Sequence, residues 1–493
     1  IRDRKSSDEE TDRYTVDINW KTEDDLRKIL KFIGTGGKTM KYIVVGTSHF
    51  GYEAVQTILK NDKNADIHLY ERGSSASFMG WGSQSYLDGT SKALSELHFA
   101  TEKSYAEQGI NIHCNSDVIG LNTKEKYIIV KTSSGEEEKQ NYDKLLLSPG
   151  GAAIKPPFEG IELENIHTFR GPEDTQAVYD CMQKSKKTVV VGGGYIGLEV
   201  AESYAKHGID VTIVDFAPRI LNTYLDQELT DILTNEGAKH NLKVHGGEKV
   251  LSFKGENGKV TSVVTDKGEY EADTVIMSVG VRPDASWLNG ELEMTERGFV
   301  VTNEYLETSS KDVYAGGDST LLPYAPTRGQ LPIALATLAR RQGVIAALNA
   351  MGIKTKMPAV NGTSALSFFD YKFVSTGLSQ NGVSLYDGKV SSKYVEEKIY
   401  PDFMRKENNL IHMKIYFDED THRVLGAQLM SKHDVSSAIA ALSIAIASDW
   451  TLEQLALADI FFQPEFDRPW HFINVLAMAA LDYKLGGADK LLF

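Results

Sequence analysis

The residues whose types and spacing carry chemistry are Gly192, Gly194 and Gly197, followed by Asp215. A β-branched run, Thr188 to Val191, leads straight into this Gly-x-Gly-x-x-Gly turn. An apolar pattern at helical spacing follows (Leu198, Val200, Ala201, Tyr204, Ala205), and a second β-branched run from Val211 ends in the acid. Strand, glycine turn, helix and strand form the unit that binds a dinucleotide. Gly192 permits the tight turn, Gly194 lets the backbone approach a pyrophosphate, and Gly197 lets helix and strand pack closely. The free N–H groups and partial positive charge of the helix N-terminus suit the phosphates. Asp215 lies about 20 residues after the turn, where a carboxylate accepts from a ribose 2′-OH. It would repel a 2′-phosphate, so NAD(H) is expected over NADP(H). The plainer alternative is a glycine turn that holds no ligand.

A second unit of the same kind stands earlier. Lys41 to Val45 is a strand, Gly46-Thr-Ser-His-Phe-Gly51 a turn, Tyr52 to Leu59 a helix, and Asp66 to Glu71 a strand ending in an acid. Ser48 stands where the second glycine belongs, so this turn is the weaker pattern. Paired with the first unit it reads as the site of a second dinucleotide, FAD, with Glu71 on the adenosine ribose. Tyr142 to Gly150 and Ala272 to Pro283 resemble each other: each is an apolar strand that ends in a glycine turn, Gly150 and Gly280. They read as paired crossings between two nucleotide domains, one inserted in the other. Asp312 to Asp318 is a further strand, ending in a carboxylate that can accept from ribityl hydroxyls.

These units need elements to hold them, and 493 residues are too many for one core. The expected fold is α/β: two Rossmann-like dinucleotide-binding domains, the NAD domain inserted in the FAD domain, and a C-terminal α+β dimerisation domain. Expected boundaries are 40–155 with 282–358 for FAD, 156–281 for NAD(H), and 359–493 for the interface domain. From Ile333 to Gly343 a helix carries small residues on one face. Beyond Thr363 the chain turns to β-branched and aromatic strands. An Ala/Ile-rich helix and Phe461 to Trp470 close it, and their aromatic density suggests a subunit interface.

Residues 1–39 differ: Arg2 to Asp17 is dense in charge, and only Asp24 to Ile33 could form a short helix. We expect the fold to begin at Met40, with 1–39 a polar extension outside it. Gly36-Gly37-Lys38, back-translated, would fit a purine-rich ribosome-binding site. A disordered acidic extension is the alternative. The formal charge of −15 argues against nucleic acid and anionic membrane as partners. The longest mostly apolar run, Ala438 to Ala447, is too short to span a bilayer. Two cysteines, Cys114 and Cys181, make no disulfide framework and suit the cytosol, so a cytoplasmic protein is expected. Both read as small buried hydrophobes. No metal site is expected.

Several motifs in order make the chain resemble the FAD-dependent pyridine nucleotide–disulfide oxidoreductases. Within them it is similar to the NADH peroxidase, NADH oxidase and coenzyme A-disulfide reductase group, and closest to the NADH peroxidases. The motifs are Gly46 to Gly51, Gly193-Gly-Tyr-Ile-Gly-Leu-Glu199, Tyr314-Ala-Gly-Gly-Asp318, Gln428-Leu-Met-Ser-Lys432 and Phe461 to Trp470. The match runs from Met40 to about Leu481. The resemblance implies FAD held by Gly46, Thr47, Ser48, His49, Phe50, Gly51, Glu71, Ser148, Pro149, Gly150, Arg170, Asp318, Ala334, Leu335 and Ala336. It implies NADH held by Gly192, Gly194, Ile196, Gly197, Asp215, Tyr224 and Gly280, and a third domain that builds a dimer or tetramer. Tyr195 would cover the flavin until nicotinamide displaces it, with Glu199 beside it. His49 matches the family's active-site histidine, although a capping role at a helix start is an alternative.

The chain departs from the family in Ser77-Phe-Met-Gly-Trp-Gly82. There the family reads Ser-Phe-Leu-Ser-Cys-Gly, and Trp81 stands at the redox cysteine. That thiolate attacks peroxide, becomes sulfenic acid and is reduced again. Tryptophan has no such cycle. The expected function is therefore FAD-dependent NADH oxidation with oxygen as acceptor and hydrogen peroxide as product, or with another small acceptor. Peroxide reduction as in the family is one alternative. A catalytically impaired FAD- and NADH-binding redox sensor or structural subunit is another.

Overall fold

Two parallel sheets built on the same plan carry the two glycine turns. The structure is a computed structural model and describes residues 39–483; the short helix expected over 24–33 lies outside them. In the first sheet β1 (Lys41–Val45) is central, and α1 (His49–Asn61) leads from it to β2 (Asp66–Tyr70). Strand Lys144–Leu147 flanks β1 on the other side, and Val313–Ala315 and Asn111–His113 form the edges. All four pairings are parallel, with Val45 opposite both Tyr70 and Leu147. In the second sheet β3 (Lys187–Val191) is central and α2 (Tyr195–Lys206) leads to β4 (Asp210–Asp215). Thr274–Met277 flanks β3, and Leu242–Gly246 and Ile166–His167 close the edges, again parallel throughout.

Residues buried on both faces explain why β1 and β3 read as unbroken apolar runs: Ile43, Val44, Val189 and Val190 are fully buried. Each glycine turn leaves the carboxyl end of a central strand, between neighbours reached in opposite directions, which is where such sheets open a crevice. The expected crossings lie side by side: Gly151–Ala153 pairs antiparallel with Val281–Pro283. A third, antiparallel sheet runs Ser364–Phe368, Tyr371–Gly377, Val424–Ser431, Leu410–Asp418, Val390–Lys398. Helices Ala438–Ala447 and Phe472–Ala480 share a core with it.

Four local expectations are corrected. The first helix begins at His49, not Tyr52, and α3 (Ala336–Ala350) begins three residues after Ile333, because Leu335 is extended at its N-cap. The aromatic stretch 461–470 is followed by one more helix, Phe472–Ala480. Both cysteines are partly exposed, not buried. Cys181 Sγ lies 3.3 Å from His167 Nε2. Cys114 packs against the first sheet's core, and burial, then Glu102, pushes its thiol up to about 12.

Candidate functional site

The two turns share two physical reasons for glycine, and the second turn adds a third. Gly46 (φ +92°) and Gly192 (φ +101°) adopt a conformation that side chains rarely reach, and a Cβ there would lie 2.3 Å from Ser148 O and 2.5 Å from Ser278 O. Gly51 and Gly197 sit where α1 and α2 press on their turns: a Cβ would fall 1.9 Å from Gly46 O and 2.0 Å from Gly192 O. A Cβ at Gly194 would meet nothing within 4 Å, so this position opens onto free space. No side chain caps either helix at Ser48 or Gly194, which leaves first-turn N–H groups for an anion.

The acids at the strand ends brace these turns. Glu71 Oε2 accepts from Thr47 Oγ1 (2.5 Å) and Thr47 N (3.3 Å), and its Oε1 accepts from Gly73 N (2.8 Å). Asp215 Oδ2 accepts from Gly193 N (2.6 Å) and Oδ1 from Ala217 N (2.7 Å). Each carboxylate keeps lone pairs for a ribose hydroxyl.

One cavity of about 690 Å³ joins the carboxyl ends of both sheets. It is lined by Gly46, Thr47, Ser48, His49, Phe50, Glu71, Ser148, Pro149, Gly150, Arg170, Asp318, Ala334, Leu335 and Ala336, with Gly194, Ile196, Tyr224 and Gly280 from the other side. Trp81, Tyr195 and Glu199 line it too. Gly51, Gly192, Gly197 and Asp215 do not; the glycines set the turns' backbone and the half-buried Asp215 braces the second turn. The paired cradles, free helix starts and acids fit two dinucleotides meeting end to end.

Around the meeting point, Tyr195 stacks on Tyr224 (centroids 4.1 Å apart) and its hydroxyl lies 2.6 Å from Ser364 Oγ. Burial, then the charges of Glu202 and Asp88, raises Glu199 to about 7. Arg170 Nη2 donates to Asp318 Oδ2 at 2.9 Å. Arg340 Nε donates to His49 Nδ1 at 3.2 Å, and Arg340 also pairs with Glu53. His49 stacks on Phe99 (5.1 Å), under the same guanidinium (5.0 Å). Burial, then Arg340, holds the imidazole below its ordinary pKa. It is therefore neutral, with its proton on Nε2 because Nδ1 is an acceptor.

Trp81 sits in the 3₁₀ turn Gly80–Gly82 and is 52% exposed. Ser77 ties this segment to the first glycine turn: its N donates to Thr47 Oγ1 (2.9 Å) and its Oγ to Thr47 O (2.8 Å). Neither Cys114 nor Cys181 lines the cavity. Among the described residues no cluster of three or more His, Cys, Asp or Glu could hold a metal. No helix of theirs is long and apolar enough to cross a membrane.

Sequence reading missed Arg340, Ser364 and Leu366 at this site. Arg340 lies in the expected small-residue helix, but no spacing links it to His49, 291 positions away. The small face itself was legible: a Cβ on Gly343 would fall 2.3 Å from Phe50 O, so α3 packs directly on α1.

Comparison with known proteins places these observations. The profile of the pyridine nucleotide-disulphide oxidoreductases matches residues 40–343, and that of their dimerisation domain matches 363–471. An NADH oxidase of Enterococcus faecalis is 37% identical over 445 residues, covering 90% of this chain and all of that protein. A CoA-dependent NAD(P)H sulfur oxidoreductase of Pyrococcus furiosus is 29% identical, covering 89% of this chain and 98% of that one. The solved structure of a water-forming NADH oxidase from Lactobacillus brevis, bound to NADH, superposes with a TM-score of 0.87 at 33% identity. It covers 90% of this chain and 98% of its own.

Proposed function

The chain belongs to the pyridine nucleotide-disulphide oxidoreductases, and from that premise we propose an FAD-dependent NADH oxidase that delivers hydrogen peroxide. The balance is NADH + H⁺ + O₂ → NAD⁺ + H₂O₂. The observation that carries the product is Trp81 on the cavity wall, in the segment where the family keeps its thiol, with neither described cysteine lining that cavity.

FAD bound at the first turn would take two electrons from NADH and pass them to the acceptor. The residues 46–51, Glu71, Ser148–Gly150, Arg170, Asp318 and Ala334–Ala336 would hold it. Gly192, Gly194, Ile196, Gly197, Asp215, Tyr224 and Gly280 would hold NADH. The turns supply N–H groups to the phosphates, and Glu71 and Asp215 accept from ribose hydroxyls. His49 keeps a proton on Nε2 at the cavity wall, and Glu199 keeps its own to about pH 7. Glu199 is the group that could supply the proton that the reaction consumes, while the neutral His49 could only donate a hydrogen bond. The domain division that suits this assignment is 40–155 with 282–358, 156–281, and 359–493. The matched dimerisation domain and the exposed Ile444, Leu457, Phe461, Phe462 and Phe466 support a homodimer; two free cysteines with no disulfide suit the cytoplasm.

The direct test of Trp81 is Trp81→Cys. With a thiol returned to the cavity wall, peroxide released per NADH should fall well below that of the parent. Unchanged release would mean that the residue at 81 does not decide the product. The water-forming Lactobacillus brevis enzyme favours a second reading, water as product, which the parent's own stoichiometry separates.

A further inference from the structure

We propose that Ser364, on the C-terminal sheet, is a positioning residue for the nicotinamide end of the cavity: its hydroxyl latches Tyr195 against Tyr224 and out of the space the nicotinamide needs. The inference rests on the NADH reading above and adds the third sheet to that site.

Tyr195 is the first residue of α2, immediately after Gly194, so its side chain leaves the backbone at the mouth of the turn. The ring stacks on Tyr224, and Phe373 lies near-parallel to it at 6.1 Å. Its hydroxyl ends 2.6 Å from Ser364 Oγ, and Ser364 Oγ lies 3.3 Å from Ser375 Oγ. Ser364 and Ser375 are directly opposed across two antiparallel strands, and both are buried. The next two residues, Ala365 and Leu366, line the cavity. The cavity that Tyr195 itself lines is the open space beside the ring, so a ring released from Ser364 turns there.

The other half of the pair is held by the glycine turn, and the chain just beyond it by the C-terminal sheet. Leu221 N donates to Gly193 O (2.7 Å), and Tyr224 N donates to Leu221 O (2.7 Å). Two residues on, Asp226 is almost wholly buried. It is held by Tyr416 and by Lys414 (3.1 Å), and it accepts from Gln380 N (3.0 Å). Tyr195 therefore belongs to the nucleotide domain by sequence but is tethered to the C-terminal sheet, which also holds the segment that carries Tyr224.

The experiment compares FAD-loaded parent, Ser364→Ala, Ser364→Thr and Tyr195→Phe. Steady-state constants for NADH are measured beside calorimetric titration with NAD⁺ and thermal melting. Loss of one net hydrogen bond predicts about a three- to tenfold rise in KM for NADH and in Kd for NAD⁺ in Ser364→Ala. Turnover at saturating NADH and the melting temperature stay near the parent's. Ser364→Thr restores both constants, and Tyr195→Phe raises the same two constants without adding to Ser364→Ala in the double variant. Unchanged constants in Ser364→Ala, or a lower melting temperature with unchanged constants, would overturn the latch while leaving the NADH reading intact. A parent that neither oxidises NADH nor binds NAD⁺ would overturn both.

Discussion

Glu199 shows how one residue's surroundings set its chemistry. Its carboxyl rises from the ordinary 4.5 to about 7, chiefly by burial, then through Glu202 and Asp88. Between those values the folded chain holds a proton that the unfolded chain has released, so this group's contribution to stability falls as pH rises through the window and stays lost above it. Glu199→Gln cannot ionise. We predict that it melts above the parent at pH 8, by on the order of 2 kcal/mol after allowance for partial exposure, and that the two converge near pH 5. Melting curves that stay parallel across that range would mean that Glu199 is not perturbed. His49 is the companion case with the opposite sign, since burial and Arg340 hold it neutral. What separates the two is legible only in space. The sequence marks Glu199 and His49 by resemblance, but says nothing of Glu202, Asp88 or Arg340 around them.

At the scale of elements, the strand–turn–helix units were the most legible feature, because their constraints are local. A glycine that must adopt φ above +90°, or let a helix touch a turn, leaves its mark in a few residues. Gly197 tests this directly. Its Cβ would lie 2.0 Å from Gly192 O, so Gly197→Ala must push α2 off the turn, at a cost of about 3 kcal/mol. We predict that the variant keeps FAD but loses most of its affinity for NAD⁺ in titration. Retained affinity would show that this helix start can shift without harm. Contacts between elements were not legible. Glu202 is 1% exposed and accepts from Gln84 Nε2 (3.0 Å), in the helix after Trp81, and from Phe369 N (2.7 Å), on the third sheet. One carboxylate so ties parts of three expected domains, and no spacing in the chain announces it. The Cys181–His167 contact escaped for the same reason: a small apolar-looking residue on a helix gave no sign of a polar partner from an edge strand.

For the whole molecule, the sheets meet around one cavity, and Trp81 stands on its wall. The acidic surface, with a formal charge of −15, suits a small neutral acceptor such as oxygen, which needs no steering. Two braced glycine turns and the Tyr195–Tyr224 pair stand around the cavity. What the cavity wall lacks is a thiol that would carry peroxide on to water. The central claim is thus a stoichiometry, and the most direct measurement is NADH consumed by the purified protein under air against hydrogen peroxide released. The account predicts one peroxide for each NADH. NADH loss with little or no peroxide would contradict it, because the site would then reduce peroxide further without a thiol at position 81.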